Sequence, residues 1–262
     1  MLLILVLGLT VGSFLNALIY RLHSRRSIFE KHSICPHCQH PLAWTDLIPV
    51  ASFFILGRRC RYCKRPISWI YPLVELATAI SFLAVYLNEC GMWNVECGLN
   101  FNIPYSIFDI LFQFVFVSFL ILIFVYDLKH YLILDKVVFP AAALALVYQV
   151  LQNNFLNAVL GAAILAGFFG LLYVYSRGRW IGAGDIKLGI FLGLLVPFPQ
   201  TIALFFLAYL SGALVALALM GLGSKTFKDR LPFGTFLTFG AFIAMLWGEE
   251  LISWYFRLIG VR

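Results

Sequence analysis

Long apolar stretches separated by short polar gaps dominate the chain. Eight of them, at about 2–20, 72–88, 105–126, 137–151, 155–175, 186–198, 200–222 and 233–256, are predicted to be membrane-spanning helices. The polar gaps test this division. Lys and Arg fall in 21–31 and 58–65, at Lys129 and Lys136, at Arg177, Arg179 and Lys187, and at Lys225, Lys228 and Arg230. The gaps 88–104, 152–154 and 197–200 contain neither. Such alternation is what eight spans with both ends outside require when basic loops stay in the cytoplasm. The first apolar stretch is followed, not preceded, by Arg21, Arg25 and Arg26. It is therefore expected to be a retained helix rather than a cleaved secretion signal.

Composition strengthens this picture. Of 262 residues 62% are hydrophobic and only 12% charged, with 26 Phe, and the mean hydropathy is +0.93. The fold class expected is an all-α polytopic membrane protein of about eight transmembrane helices. The net charge of +7 reads as topology signal and contact with anionic lipid. The basic clusters are short and not interleaved with exposed aromatics, which excludes nucleic acid as a partner. Residues 1–22 form the first span, 23–71 a small cytoplasmic domain inserted between helices 1 and 2, and 72–262 the remaining membrane core. Cys90 and Cys97 fall in an outside gap, where they form either a disulfide or two separate thiols. The sixth span is shorter than the ~17–25 residues of a full crossing. Gly189 with Gly193, and Ala163 with Gly167, have the spacing of tight helix-packing faces.

The inserted domain holds Cys35-Pro36-His37-Cys38 and Cys60-Arg61-Tyr62-Cys63. Two Cys-x-x-Cys pairs at this separation match four-thiolate structural zinc sites. A shift of 25 positions superposes Cys35 on Cys60, Cys38 on Cys63, Pro41 on Pro66, Leu42 on Ile67 and Trp44 on Trp69. The segment is thus a duplicated knuckle. About 50 residues make too small a core to hold without a staple, and disulfides do not persist on the reducing side of a membrane. Zinc on Cys35, Cys38, Cys60 and Cys63 supplies that staple. His32, His37 and His40 are substitute ligands or solvated side chains.

One ionisable residue opens an apolar span: Asp185, in Gly182-Ala183-Gly184-Asp185. A carboxylate at hydrocarbon depth is costly and marks function, and the two glycines leave room for another backbone to approach it. Asp46, Asp127, Asp135 and Asp229 are the candidate partners. Asp127 closes the third span on the side where Asp185 lies. Asp135 is placed like an N-cap for the fourth span, and Asp229 sits among Lys225, Lys228 and Arg230 as a solvated charge. Two carboxylates in a low-dielectric site share a proton, a state suited to peptide hydrolysis. The same aspartates would equally serve as helix caps, or as proton carriers in a proton-coupled transporter. No His-Glu-x-x-His occurs, and no Gly-x-Ser-Gly stands in a span.

The chain resembles the type IV prepilin peptidases over nearly its whole length. The matching stretches are Gly12-Ser13-Phe14-Leu15-Asn16, Ile19-Tyr20-Arg21-Leu22, the paired Cys-x-x-Cys with Trp44-Thr45-Asp46-Leu47-Ile48-Pro49 between them, Pro66-Ile67-Ser68, Tyr71-Pro72-Leu73-Val74-Glu75-Leu76, and Gly182-Ala183-Gly184-Asp185-Ile186-Lys187-Leu188. The resemblance implies an aspartic endopeptidase of the bacterial inner membrane with Asp127 and Asp185 as catalytic pair. It departs from the family at Leu134, where Pro is usual before Asp135, and at Lys129, where an acidic residue often sits. The implied substrates are type IV prepilins and type II secretion pseudopilins, cut at the cytoplasmic face after a Gly that ends a short basic leader. Gly182 and Gly184 would admit that leader. The resemblance also implies N-methylation of the new terminus from S-adenosylmethionine. No nucleotide-cradling glycine motif marks that second site, which is sought near 65–75, where Glu75 either binds the substrate amine or packs within its helix.

Overall fold

The structure, a computed structural model, describes residues 1–24, 26–28, 32–90, 104–223 and 231–258. The Cys90–Cys97 pairing and the solvated role of Asp229 lie outside what these residues can address. Among the described residues there are nine α-helices: α1 Leu2–His23, α2 Ala51–Ile55, α3 Ile70–Cys90, α4 Pro104–His130, α5 Asp135–Leu151, α6 Phe155–Ser176, α7 Ala183–Leu195, α8 Gln200–Gly221 and α9 Phe233–Leu258. Each of the eight apolar stretches coincides with one helix. α2, a single short turn inside the cysteine segment, carries no apolar periodicity long enough to announce it.

Among the described residues, six helices are by themselves long and apolar enough to cross a membrane: α1, α3, α4, α6, α8 and α9. The protein is thus a multi-pass membrane protein. α5, with 17 residues, and α7, with 13, are the short ones. At 1.5 Å per residue α7 extends only about 20 Å, against a hydrocarbon core of about 30 Å. Its surroundings explain how it is tolerated. Leu188, Gly189, Phe191, Leu192, Gly193, Leu194 and Leu195 are all buried, and the helix packs against α5, α6 and α9. A helix sheathed in protein need not match the bilayer.

The chain divides into two compact units, 1–122 and 123–262, the break falling inside α4. In the first unit α1 lies along α3. A Cβ on Gly8 would meet the Ala79 backbone at 2.5 Å, and one on Gly12 the Glu75 backbone at 2.6 Å, so only glycine permits this approach. Phe82 of α3 and Phe114 of α4 stack with ring centroids 4.2 Å apart.

In the second unit α7 is seated on α6. Gly189 faces Phe169, and Gly193 faces Gly161 and Ala162. The small-residue pair on α7 therefore packs as expected, but its partner face on α6 is Gly161 and Ala162. Ala163 is exposed, and a Cβ on Gly167 would meet nothing within 4 Å. The spacing of Ala163 and Gly167 was right for a packing face. They are turned outward because burial of Ala162, Leu165 and Phe169 fixes the rotation of α6.

α6 ends at Arg177 and Gly178, both with positive φ, where the Gly178 amide returns to the Tyr173 carbonyl at 2.9 Å. Asp135 is corrected from an N-cap to the first residue of α5; Leu134 occupies the cap position and offers no side-chain bond. The carboxylate of Asp135 is engaged by Lys187 Nζ at 2.7 and 2.8 Å. A cation from α7 wins over the local cap.

Candidate functional site

The second unit brings two aspartates together. Asp127 comes from the last turn of α4 and is only 4% exposed. Its Oδ2 accepts the Thr235 backbone N–H at 3.0 Å, and the Gly234 amide also donates to it. These are the second and third residues of α9. Their N–H groups have no partner inside the helix and point along its positive end, which suits them to hold a carboxylate. Asp185 is the third residue of α7, and its Oδ2 accepts the Gly182 N–H at 3.0 Å. Each carboxylate is therefore anchored by one oxygen at the start of a helix. The two charges lie within electrostatic reach of each other, and Tyr209 of α8 lies within reach of Asp185.

The glycines around this pair have different roles. A Cβ on Gly234 would stand 2.9 Å from Asp127 Oδ2 and 3.2 Å from its Cγ. A Cβ on Gly184 would meet Ile133 Cβ at 3.1 Å, and Ile133 also backs Gly234. Gly184 is thus tight against a side chain, whereas Gly182 is exposed. Neither Gly234 nor Thr235 is distinguishable by sequence reasoning, since Pro232-Phe233-Gly234-Thr235 carries no ionisable group. A glycine opening the final apolar stretch was the only signal available. Gly234→Ala is expected to displace the Asp127 carboxylate and to slow any reaction that depends on it by about 10–100-fold, since small misplacements cost that much. Wild-type turnover in this variant would rule the contact out as important.

In the first unit the four cysteines converge. Among the described residues, Cys35, Cys38, Cys60 and Cys63 can offer sulfurs that all lie within 4.8 Å of one another, with Cys35 and Cys63 Sγ 3.9 Å apart. A tetrahedron with zinc–sulfur bonds of about 2.3 Å has edges of about 3.8 Å, so the set fits a tetrahedral thiophilic cation such as zinc. The duplication extends to the backbone. The Cys35 amide bonds to His40 O at 3.0 Å and the Cys60 amide to Arg65 O at 2.9 Å; Leu42 to Ser33 O and Ile67 to Arg58 O are both 2.8 Å. Gln39 and Lys64 both take positive φ, at 57° and 60°. Every one of these pairs is related by the 25-residue shift.

The thiols hold protons unequally. The His40 amide lowers the Cys38 thiol, but desolvation and its bonds to Cys35 and Cys63 push it up to about 11. Desolvation raises Cys60, yet the amides of Cys63 and Tyr62 and the neighbouring thiols bring it down to about 7. His37 bonds to Arg65 at 3.3 Å, and His40 stacks on Tyr62; neither joins the sulfur cluster. Asp46 pairs with Arg61 Nε at 2.8 Å and so stays with the cysteine segment.

Beside this cluster α1, α3 and the cysteine segment enclose a cavity of about 560 Å³. Glu75, 8% exposed, is on its wall. Its Oε2 accepts the Val50 N–H at 2.7 Å and its carboxylate is hydrogen-bonded by Ser13. Val50 has φ 58° and ψ −50°, and the Ala51 amide returns to Pro49 O at 2.5 Å. That is a positive-φ γ-turn, rare for any residue and costly for a β-branched one, by about 1–3 kcal/mol. The strained turn is what aims the Val50 amide at Glu75.

Comparison with known proteins was consistent across the chain. Residues 6–89 match the bacterial Peptidase A24 N-terminal domain and residues 114–217 the type IV leader peptidase family. The chain is 31% identical to the prepilin leader peptidase/N-methyltransferase of Bacillus subtilis, covering 97% of this chain and 96% of that one. It is 30% identical to the protein of that name from Aeromonas hydrophila, covering 97% and 92%. Against the one from Myxococcus xanthus it is 34% identical, over 82% of this chain and 62% of that one. No solved structure matches it. The cysteine knuckles lie within the first matched region and both aspartates within the second, and with relatives so similar from end to end the chain belongs to the type IV leader peptidase family.

Proposed function

We propose that Asp127 and Asp185 are the catalytic pair of this family's peptidase reaction in this chain. Family membership makes the protein a prepilin-cleaving and N-methylating enzyme and sets aside the proton-coupled transporter. The observation that carries the residue assignment is the meeting of two aspartates from α4 and α7, each fixed through one oxygen, in the unit matched to the peptidase family. The free oxygens are left to act on a water and a peptide carbonyl.

One carboxylate takes a proton from the water, whose oxygen forms the new bond to the carbonyl carbon. The other, protonated, donates to the carbonyl oxygen and so stabilises the tetrahedral intermediate. When the C–N bond breaks, the proton first taken from water passes to the leaving amine. The substrate is a type IV prepilin or pseudopilin whose basic leader ends in Gly, cut at the cytoplasmic face of a bacterial inner membrane. The leader approaches past Gly182, with Gly184 keeping the backbone close to the dyad.

Cys35, Cys38, Cys60 and Cys63 would hold a structural zinc ion. Four thiolates leave no open coordination position, so the ion crosslinks the two knuckles. The methyl donor is S-adenosylmethionine. The purified protein, with no cofactor added, is expected to shorten a pilin precursor by its leader, and with the donor to add one methyl to the new terminus. A precursor left intact under both conditions would overturn this reading.

A further inference from the structure

We infer that the cavity enclosed by α1, α3 and the cysteine segment is the methyl-transfer site, where Glu75 holds the amino group that accepts the methyl. The inference deepens the proposed function and rests on it. Four observations point the same way. The volume, about 560 Å³, is in the range that buries a nucleoside-sized ligand. Its wall carries the aromatic rings of Tyr20, Tyr71 and Phe53, faces that suit both an adenine ring and a sulfonium cation.

Glu75 is a buried carboxylate whose partners, Val50 N–H and Ser13, are neutral. No ion pair to it is formed among the described residues, so its charge is available to a cationic ligand such as an ammonium group. Strain in the Pro49–Ala51 turn is the fourth observation. The chain adopts a costly backbone at Val50, the residue that both opens α2 and donates its amide to Glu75. Strain of that kind gathers at functional sites. All the groups named belong to the first unit, while Asp127 and Asp185 belong to the second, so the two reactions draw on different machinery.

The chemistry balances as follows. The terminal ammonium gives a proton to the Glu75 carboxylate. The freed nitrogen lone pair attacks the donor's methyl carbon, forming N–C as C–S breaks with its electron pair left on sulfur. A neutral thioether leaves, the methylated nitrogen keeps the positive charge, and the proton on Glu75 passes to solvent.

The test uses the full chain in nanodiscs with tritiated S-adenosylmethionine and ultraviolet crosslinking. Label is expected within residues 10–75 and to be displaced by S-adenosylhomocysteine; label within 123–262 would overturn the assignment. In parallel, Glu75→Gln is expected to lower methylation of an already cleaved pilin by about 10²-fold or more, while leader removal stays within about twofold of the parent. Methylation at the parental rate would also overturn it. Crosslinking of the parent chain decides the question even where the variant does not fold. A parent that neither cleaves nor methylates defeats the proposed function itself. One that cleaves and methylates but takes label elsewhere defeats only this inference.

Discussion

Asp127→Asn and Asp185→Asn are each expected to reduce leader removal by about 10³-fold or more, the upper part of the range for losing a positioned acid or base. The substitutions are informative because they leave the local structure its bonds. An asparagine at 127 still offers an oxygen to the Thr235 N–H, and one at 185 still offers an oxygen to the Gly182 N–H. What disappears is the ability to exchange a proton with water and the scissile amide. Two carboxylates acting on one water form a unit, so the double variant should be hardly slower than either single one. Leader removal assayed in membranes, with thermal unfolding as a check on the fold, measures this. Either variant cleaving at more than about a tenth of the parental rate would remove that residue from the catalytic pair.

Removing the proposed zinc ion from the cysteine cluster is expected to unfold the cysteine segment. Between 32 and 69 the buried hydrophobic residues are Cys35, Phe53 and Cys60, so two of the three belong to the proposed zinc set. With so little apolar core, binding of a structural zinc ion, on the order of 10 kcal/mol or more at neutral pH, is most of what holds such a segment. Cys60→Ser, or a strong chelator, should expose 32–69 to hydrogen exchange and proteolysis while α6–α9 keep their protection. Methylation should fall with it, because the cavity is walled by the same segment. Unchanged exchange in 32–69 after zinc is shown to have left would mean that the knuckles stand without a metal.

Different parts of this protein were legible in its sequence for different physical reasons. Spans were readable because each is a long apolar run broken by charge, and that pattern survives any packing. The knuckles were readable because the repeat at 25 residues extends to cysteines, whose thiolates are able to hold a metal. Asp185 stood out because a charge beside apolar residues is expensive. By contrast, the grip of α9 on Asp127 is made by backbone amides, which leave no mark on residue type, and it joins positions 108 apart in sequence. Likewise, Val50 is an ordinary apolar letter whose unusual backbone is imposed by its neighbours. Asp135 looked like a cap because only its own helix was in view; Lys187, 52 positions away, redirects it.

The dependence of Asp127 on Thr235 has a bearing on biogenesis. A nascent chain that has reached the membrane through α8 already carries both aspartates, but the amides that orient one of them have not yet been inserted. With Asp127 in the proposed catalytic pair, a chain ending after α8 is expected not to remove leaders, because the amide that holds this carboxylate is missing.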